Sequence, residues 1–109
     1  MESFSVRSIF LWGERDDRQL KYLYEERITL WQAENIDRAI EMAEIDARSY
    51  SKESGQYLGF SQAFALFEPV KASGVEVFSL LRESNLAPGN YLDAFFDTGY
   101  ERERISSGN

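Results

Sequence analysis

The chain contains no cysteine and no histidine. Without cysteine there can be no disulfide, no thiolate nucleophile and no Cys-ligated zinc or iron–sulfur centre. Without histidine the commonest general base near neutral pH and the commonest metal ligand are both missing. There are only two prolines, so a stiff proline-rich linker is excluded. No stretch approaches the ~18 apolar residues needed to span a bilayer. Met1-Glu2-Ser3 opens the chain without a basic region followed by an apolar run, so a cytoplasmic protein with no membrane partner is expected. Basic residues are scarce too: 12 against 19 acidic ones, a net charge of −7. The few Lys and Arg are scattered singly among acids, where a nucleic-acid binder clusters them to displace counterions from phosphates. Nucleic acid and anionic lipid are therefore not expected partners. A partner with a basic surface suits this charge.

What the chain does have is core-forming material, with 43% hydrophobic and 15% aromatic residues among 109. That length fits one domain able to build its own core. Phe4 to Trp12 alternates as a strand, with Phe4, Val6, Phe10 and Trp12 on one parity and Ile9 and Leu11 on the other. Residues 13–21 read as a charged hairpin loop. Tyr22 to Gln32 is a second strand, sorting Tyr24, Ile28 and Leu30 to one side and Glu25, Arg27, Thr29 and Trp31 to the other. Asn35 can cap a helix running to about Tyr50. Its residues Ile36, Ala39, Ile40, Ala43, Ala47 and Tyr50 recur at spacings of three and four, a single apolar stripe.

After a loop ending at Gly55 or Gln56, Tyr57 to Phe67 forms a third strand, with Gly59 placed for a bulge. Pro69 and Gly74 turn the chain into a fourth strand, Val75 to Leu81. Tyr91 to Phe96 reads as a short helix, and residues 99–109 as a flexible tail beyond a single α+β domain of residues 1–98. The order β-β-α-β-β plus a short C-terminal helix predicts a four-stranded antiparallel sheet, two hairpins joined by a helical crossover, with one long helix packed on one face.

The run Tyr24-Glu25-Glu26-Arg27-Ile28-Thr29-Leu30-Trp31, together with Tyr57-Leu58-Gly59, Gln62-Ala63-Phe64, Glu76-Val77-Phe78-Ser79-Leu80 and Phe95-Phe96-Asp97-Thr98-Gly99, resembles an uncharacterised bacterial family, domain of unknown function 4288. The resemblance covers about residues 4–99. It implies a small intracellular bacterial domain, loosely associated with immunity-type proteins of toxin systems, and it carries no activity and no site.

Several constellations are candidates for function. Ser49-Tyr50-Ser51-Lys52 has bare Ser-x-x-Lys spacing, but the companion motifs of serine acyl-enzymes are absent, and a helix end running into a polar loop explains it. Glu26 shares its parity with apolar neighbours; it either reaches water at the sheet rim or, if buried, pairs with Arg7 or Arg82 as a polar anchor. Asp37, Glu41 and Glu44 form an acidic band on the helix, better suited to a partner than to a metal, because a straight helix cannot wrap an ion. Met42 and Ile45 lie off the apolar stripe and hint at a contact surface.

The aromatic load decides the main expectation. Sixteen aromatic residues exceed what one helix covers on four strands. If Tyr24, Ile28 and Leu30 face the helix, Trp31 and Arg27 are left on an open face, for a partner or for the C-terminal helix. The expected function is therefore non-catalytic: a protein-interaction module, a homodimer through the open face or a strand edge, with no cofactor and no metal. The alternatives are an immunity-like inhibitor using the acidic helix face, and a small-ligand-binding domain or enzyme with a pocket between sheet and helix.

Overall fold

The structure is a computed structural model that describes residues 1–13, 19–68, 70–71 and 73–96 in full, and the backbone of Arg102–Ile105. Within the expected hairpin loop, residues 14–18 lie outside the described residues, as do Pro69 and, in the expected tail, residues 99–101 and 106–109.

The two alternating N-terminal segments form strands β1 (Glu2–Trp12) and β2 (Tyr22–Ala33), paired antiparallel from Glu2↔Ala33 to Trp12↔Leu23. Helix α1 (Ile36–Tyr50) follows. Asn35 is extended and its side chain accepts the Arg38 amide at 2.8 Å, satisfying one donor that the first turn leaves over. Asp37 in the first turn and Arg48 in the last match the helix dipole.

Strand β3 (Gly55–Ala65) pairs antiparallel with β1. The register slips between Ser8 and Phe10, and Gly59 lies opposite this step with φ +76°, so the expected bulge is present. Strand β4 (Val75–Ser84) pairs antiparallel with β2. Helix α2 (Pro88–Phe95) begins with proline in its first turn, where no amide partner is needed.

The central sheet β3-β1-β2-β4 is antiparallel, as expected, and carries α1 on one face. Two details differ. The third and fourth strands are not a hairpin: they flank the β1–β2 hairpin on opposite sides, because chain order does not encode pairing. And within residues 99–109, read as a tail, Arg102–Ile105 forms a further strand, β5, paired with β3 from Phe60↔Ile105 to Ala63↔Arg102. The full order is β4-β2-β1-β3-β5.

Each face has its own core. On the first face, Phe4, Val6, Trp31, Ala33 and Ala63 meet Ala39, Ile40 and Ala43 of α1. Phe10 and Tyr57 meet Ala47 one turn further on. The small alanines of the stripe let the helix approach closely, and burying Ile40 or Phe10 stabilises by about 1.5–3 kcal/mol each. On the second face, Ile9, Tyr24, Leu58 and Phe60 are covered by Tyr91 of α2 and by Phe96 just beyond it.

The helix assignment to faces therefore reverses the expectation. Trp31, placed on an open face from sequence, is 7% exposed beneath α1, and its indole donates to Thr29 Oγ1 at 2.6 Å. Gly74, with φ +72°, passes directly against the Trp31 ring, and its amide donates to the Leu30 carbonyl at 2.6 Å. Tyr24, Ile28 and Leu30 point to the opposite face.

Candidate functional site

Reading the register across the strands shows what each face presents. On the first face the rows Ser61–Ser8–Arg27–Ser79 and Tyr57–Phe10–Glu25–Leu81 pass beneath the C-terminal half of α1. This half is polar. The Arg27 side chain, 11% exposed, bonds Asp46 of α1 at 2.8 Å and Glu76 of β4 at 2.6 Å. Its guanidinium also lies 3.9 Å from the centre of the Tyr50 ring. Burial lowers the pKa of Arg27, but the hydrogen bonds and charges of Asp46 and Glu76 outweigh it, so the group is held above its ordinary value.

Beside it sits Glu25, 3% exposed. Its carboxylate accepts from Trp12 Nε1 at 2.9 Å, from the Tyr50 hydroxyl at 3.0 Å and from the Ser79 hydroxyl. Burial, then the hydrogen bond to Glu25, push the Tyr50 hydroxyl up to about 12. Trp12, Glu25, Tyr50, Ser54, Ser79 and Leu81 line a cavity of about 310 Å³. Sequence reasoning missed Glu25, since its parity is that of Thr29 and Trp31, which had been assigned to the open face. Alternation alone put Glu25 with Arg27, Thr29 and Trp31 on one face but gave no signal for which face the helix covers.

On the second face the rows are Phe64–Ser5–Leu30–Val75 and Gln62–Arg7–Ile28–Phe78, then Ile9–Glu26–Leu80 and Leu11–Tyr24–Arg82. Helix α2 covers Ile9, Leu11 and Tyr24 of the last two rows, its Tyr91 stacked on Tyr24 at 3.8 Å, and leaves Leu80 of β4 uncovered. Beyond the first row the connection between β3 and β4 lies across the sheet end, with Val70 held by Ser3 Oγ and by the Gln32 side chain. Between these covers an apolar window stays open: Phe64 is 42% exposed, Val75 45%, Phe78 44% and Leu80 40%.

The polar floor of this window is the expected anchor. Arg7 Nη1 is 3.1 Å from Glu26 Oε1, with the two side chains 24% and 15% exposed. Arg7 also donates to Gln62 Oε1 from Nε at 2.8 Å. Gln62, fully buried, donates in turn to the Phe96 carbonyl at 2.6 Å and so fastens the end of α2. Arg82 stands apart from this pair, near the Tyr91 hydroxyl at 3.5 Å and over the Phe95 ring.

The helix candidates divide. Asp37 and Glu41 are exposed, Glu41 pairing with Arg38, while Glu44 turns toward Tyr57, whose hydroxyl donates to it at 3.4 Å. Of the expected band, Asp37 and Glu41 are exposed and Glu44 is half-buried. Ile45 is 68% exposed, but Met42 packs against the core of the first face, because the stripe is wide enough at that turn to take it in. Arg27, expected at an interface, lies under α1 instead. Among the described residues no group of three or more acidic side chains is gathered as a metal site requires, and no helix is long and apolar enough to cross a membrane. Comparison of the chain with family models, curated proteins and solved structures returns no match.

Proposed function

We propose that this protein is a non-catalytic interaction module that pairs with a second copy of itself through the open window of its second face. The observation that carries this reading is the exposure of Phe64, Val75, Phe78 and Leu80, each 40–45% exposed, on a sheet face whose two ends, but not its middle, are covered among the described residues. Val75, Phe78 and Leu80 lie together on β4, the half-buried Ile28 and Leu30 of β2 adjoin them, and Phe64 stands across the sheet on β3; exposed apolar groups of this kind on a small domain mark contact surfaces. A two-fold axis would set this patch against its own copy.

Charge favours self-pairing here over any other surface. Two chains of net charge −7 repel wherever carboxylates meet, and the ionic groups at this floor, Arg7 and Glu26, neutralise one another. Burying the remaining exposed area of each of the four side chains contributes about 1 kcal/mol. Both copies contribute, a gross gain of about 8 kcal/mol from which the cost of joining two molecules is subtracted, so pairing is expected to be weak and concentration-dependent.

Light scattering of concentrated, unfractionated samples, up to about millimolar chain, tests this with two variants. Phe78→Asp places a charge in the window and is expected to give a folded chain of 12.6 kDa. Ile45→Asp, on the outer side of α1, is expected to leave the pairing as it is. Equal masses for the wild type and both variants would refute the reading.

A further inference from the structure

The cavity on the first face has no part in the pairing surface, and its chemistry is specific. Its base is Glu25, a carboxylate withdrawn from water but held by neutral donors only. Among the described residues no Lys or Arg is ion-paired with it. A carboxylate offers about four acceptor positions. Trp12 Nε1–H, the Tyr50 hydroxyl and the Ser79 hydroxyl supply three protons, so one position is left over.

The surrounding charge is negative. Asp46 and Glu76 share the single guanidinium of Arg27, so with Glu25 three carboxylates face one cation. The walls are aromatic: Trp12 and Tyr50 stand 5.6 Å apart at 78°, a near-perpendicular corner. Each is pinned to Glu25 by its polar edge, which leaves ring surface to line the space. Trp12 is seated by Gly55, where a Cβ would fall 2.5 Å from the ring. Leu81 closes the apolar side.

A buried, uncompensated carboxylate beneath two aromatic rings attracts a cation with apolar substituents, through charge at the base and through the ring quadrupoles at the walls. We propose that the cavity bounded by Trp12, Glu25, Tyr50 and Leu81 binds an alkylammonium group. A free small amine and a lysine-type side chain of another protein share this chemistry. The volume of about 310 Å³ accommodates either head group. Because the cavity and the window lie on opposite faces, loss of one function leaves the other measurable.

The test is NMR titration of the two indole N–H signals with choline, with its neutral isostere 3,3-dimethylbutan-1-ol, and with a capped trimethyllysine. Choline is expected to shift the Trp12 signal saturably, with a dissociation constant on the order of 1 mM, and to leave Trp31 in place. The neutral alcohol is expected to bind at least roughly tenfold more weakly, as removal of the charge should weaken the site by one decade or more. Tighter binding of the capped trimethyllysine than of choline assigns the site to a protein side chain, and the reverse to a free amine.

Glu25→Gln preserves shape and removes the charge, and is expected to abolish the shift. Leu81→Lys, at an exposed edge-strand position, keeps Glu25 and fills the cavity with its own ammonium, and is expected to block choline. No saturable Trp12 shift, an equal response to the neutral alcohol, or choline binding retained in folded Glu25→Gln or in Leu81→Lys would each overturn the proposal.

Discussion

Replacing Arg27 by methionine isolates what the charged seam under α1 contributes. The methionine keeps an unbranched apolar stem against Tyr50 and removes only the guanidinium. Two charge-assisted bonds disappear, to Asp46 at 2.8 Å and to Glu76 at 2.6 Å. Such bonds contribute about 1.5–3 kcal/mol each when shielded from water. Here the acids are 34% and 41% exposed, so solvent screening brings each to about 1 kcal/mol. The stacking on Tyr50 adds about 0.5–1 kcal/mol. The expected loss is therefore about 2–3 kcal/mol.

For a domain of this size that lowers the melting temperature by roughly 10–20 °C. Arg27→Lys should lose more than half as much, since one ammonium cannot span both acids and stack on the ring together. Denaturant unfolding at neutral pH, followed by circular dichroism, measures both variants. A loss below about 0.5 kcal/mol for Arg27→Met would refute the reasoning, because it would mean the seam behaves as an ordinary exposed ion pair.

Three further outcomes follow from the same geometry. Burial first, then the charges of Tyr22 and Tyr91, push the Tyr24 hydroxyl up to about 12, and Tyr50 is raised to about 12 as well. A raised tyrosine binds its proton more tightly in the folded state, so its contribution is intact below the ordinary value of 10 and declines as pH rises from about 10 to about 12; stability measured across that interval should fall. Asn35→Ala removes the 2.8 Å cap on the Arg38 amide and should cost about 1 kcal/mol in denaturant unfolding. Phe60→Ala opens a cavity at a position 1% exposed and should cost about 3–5 kcal/mol by the same method.

Much of the architecture was legible because single elements carry their own periodicity. The stripe from Ile36 to Ala47 had one solution, and Ala39, Ile40, Ala43 and Ala47 are buried. Gly59 signalled the bulge in β3. What was not legible concerns choices that no one element makes. Both parities of β2 are apolar enough to face a helix, so Trp31 and Tyr24 could not be sorted by pattern; the structure gives Trp31 to α1 and Tyr24 to α2. The pairing of β3 with β1 rather than β4 is a property of the assembled sheet. The Arg7–Glu26 pair was within reach, since alternation puts both on one face once β1 and β2 form a hairpin. Glu25 was not, because its value depends on Trp12, Tyr50 and Ser79 arriving from three other elements. Surplus aromatic and apolar surface was read correctly as a quantity and assigned to the wrong side of the sheet.

Sedimentation equilibrium of the unmodified chain over a concentration series addresses the self-pairing surface most directly. The open window on the second face predicts an average mass that rises from 12.6 kDa toward twice that value as concentration is raised to about the millimolar range. A mass that stays at that of one chain throughout would contradict it.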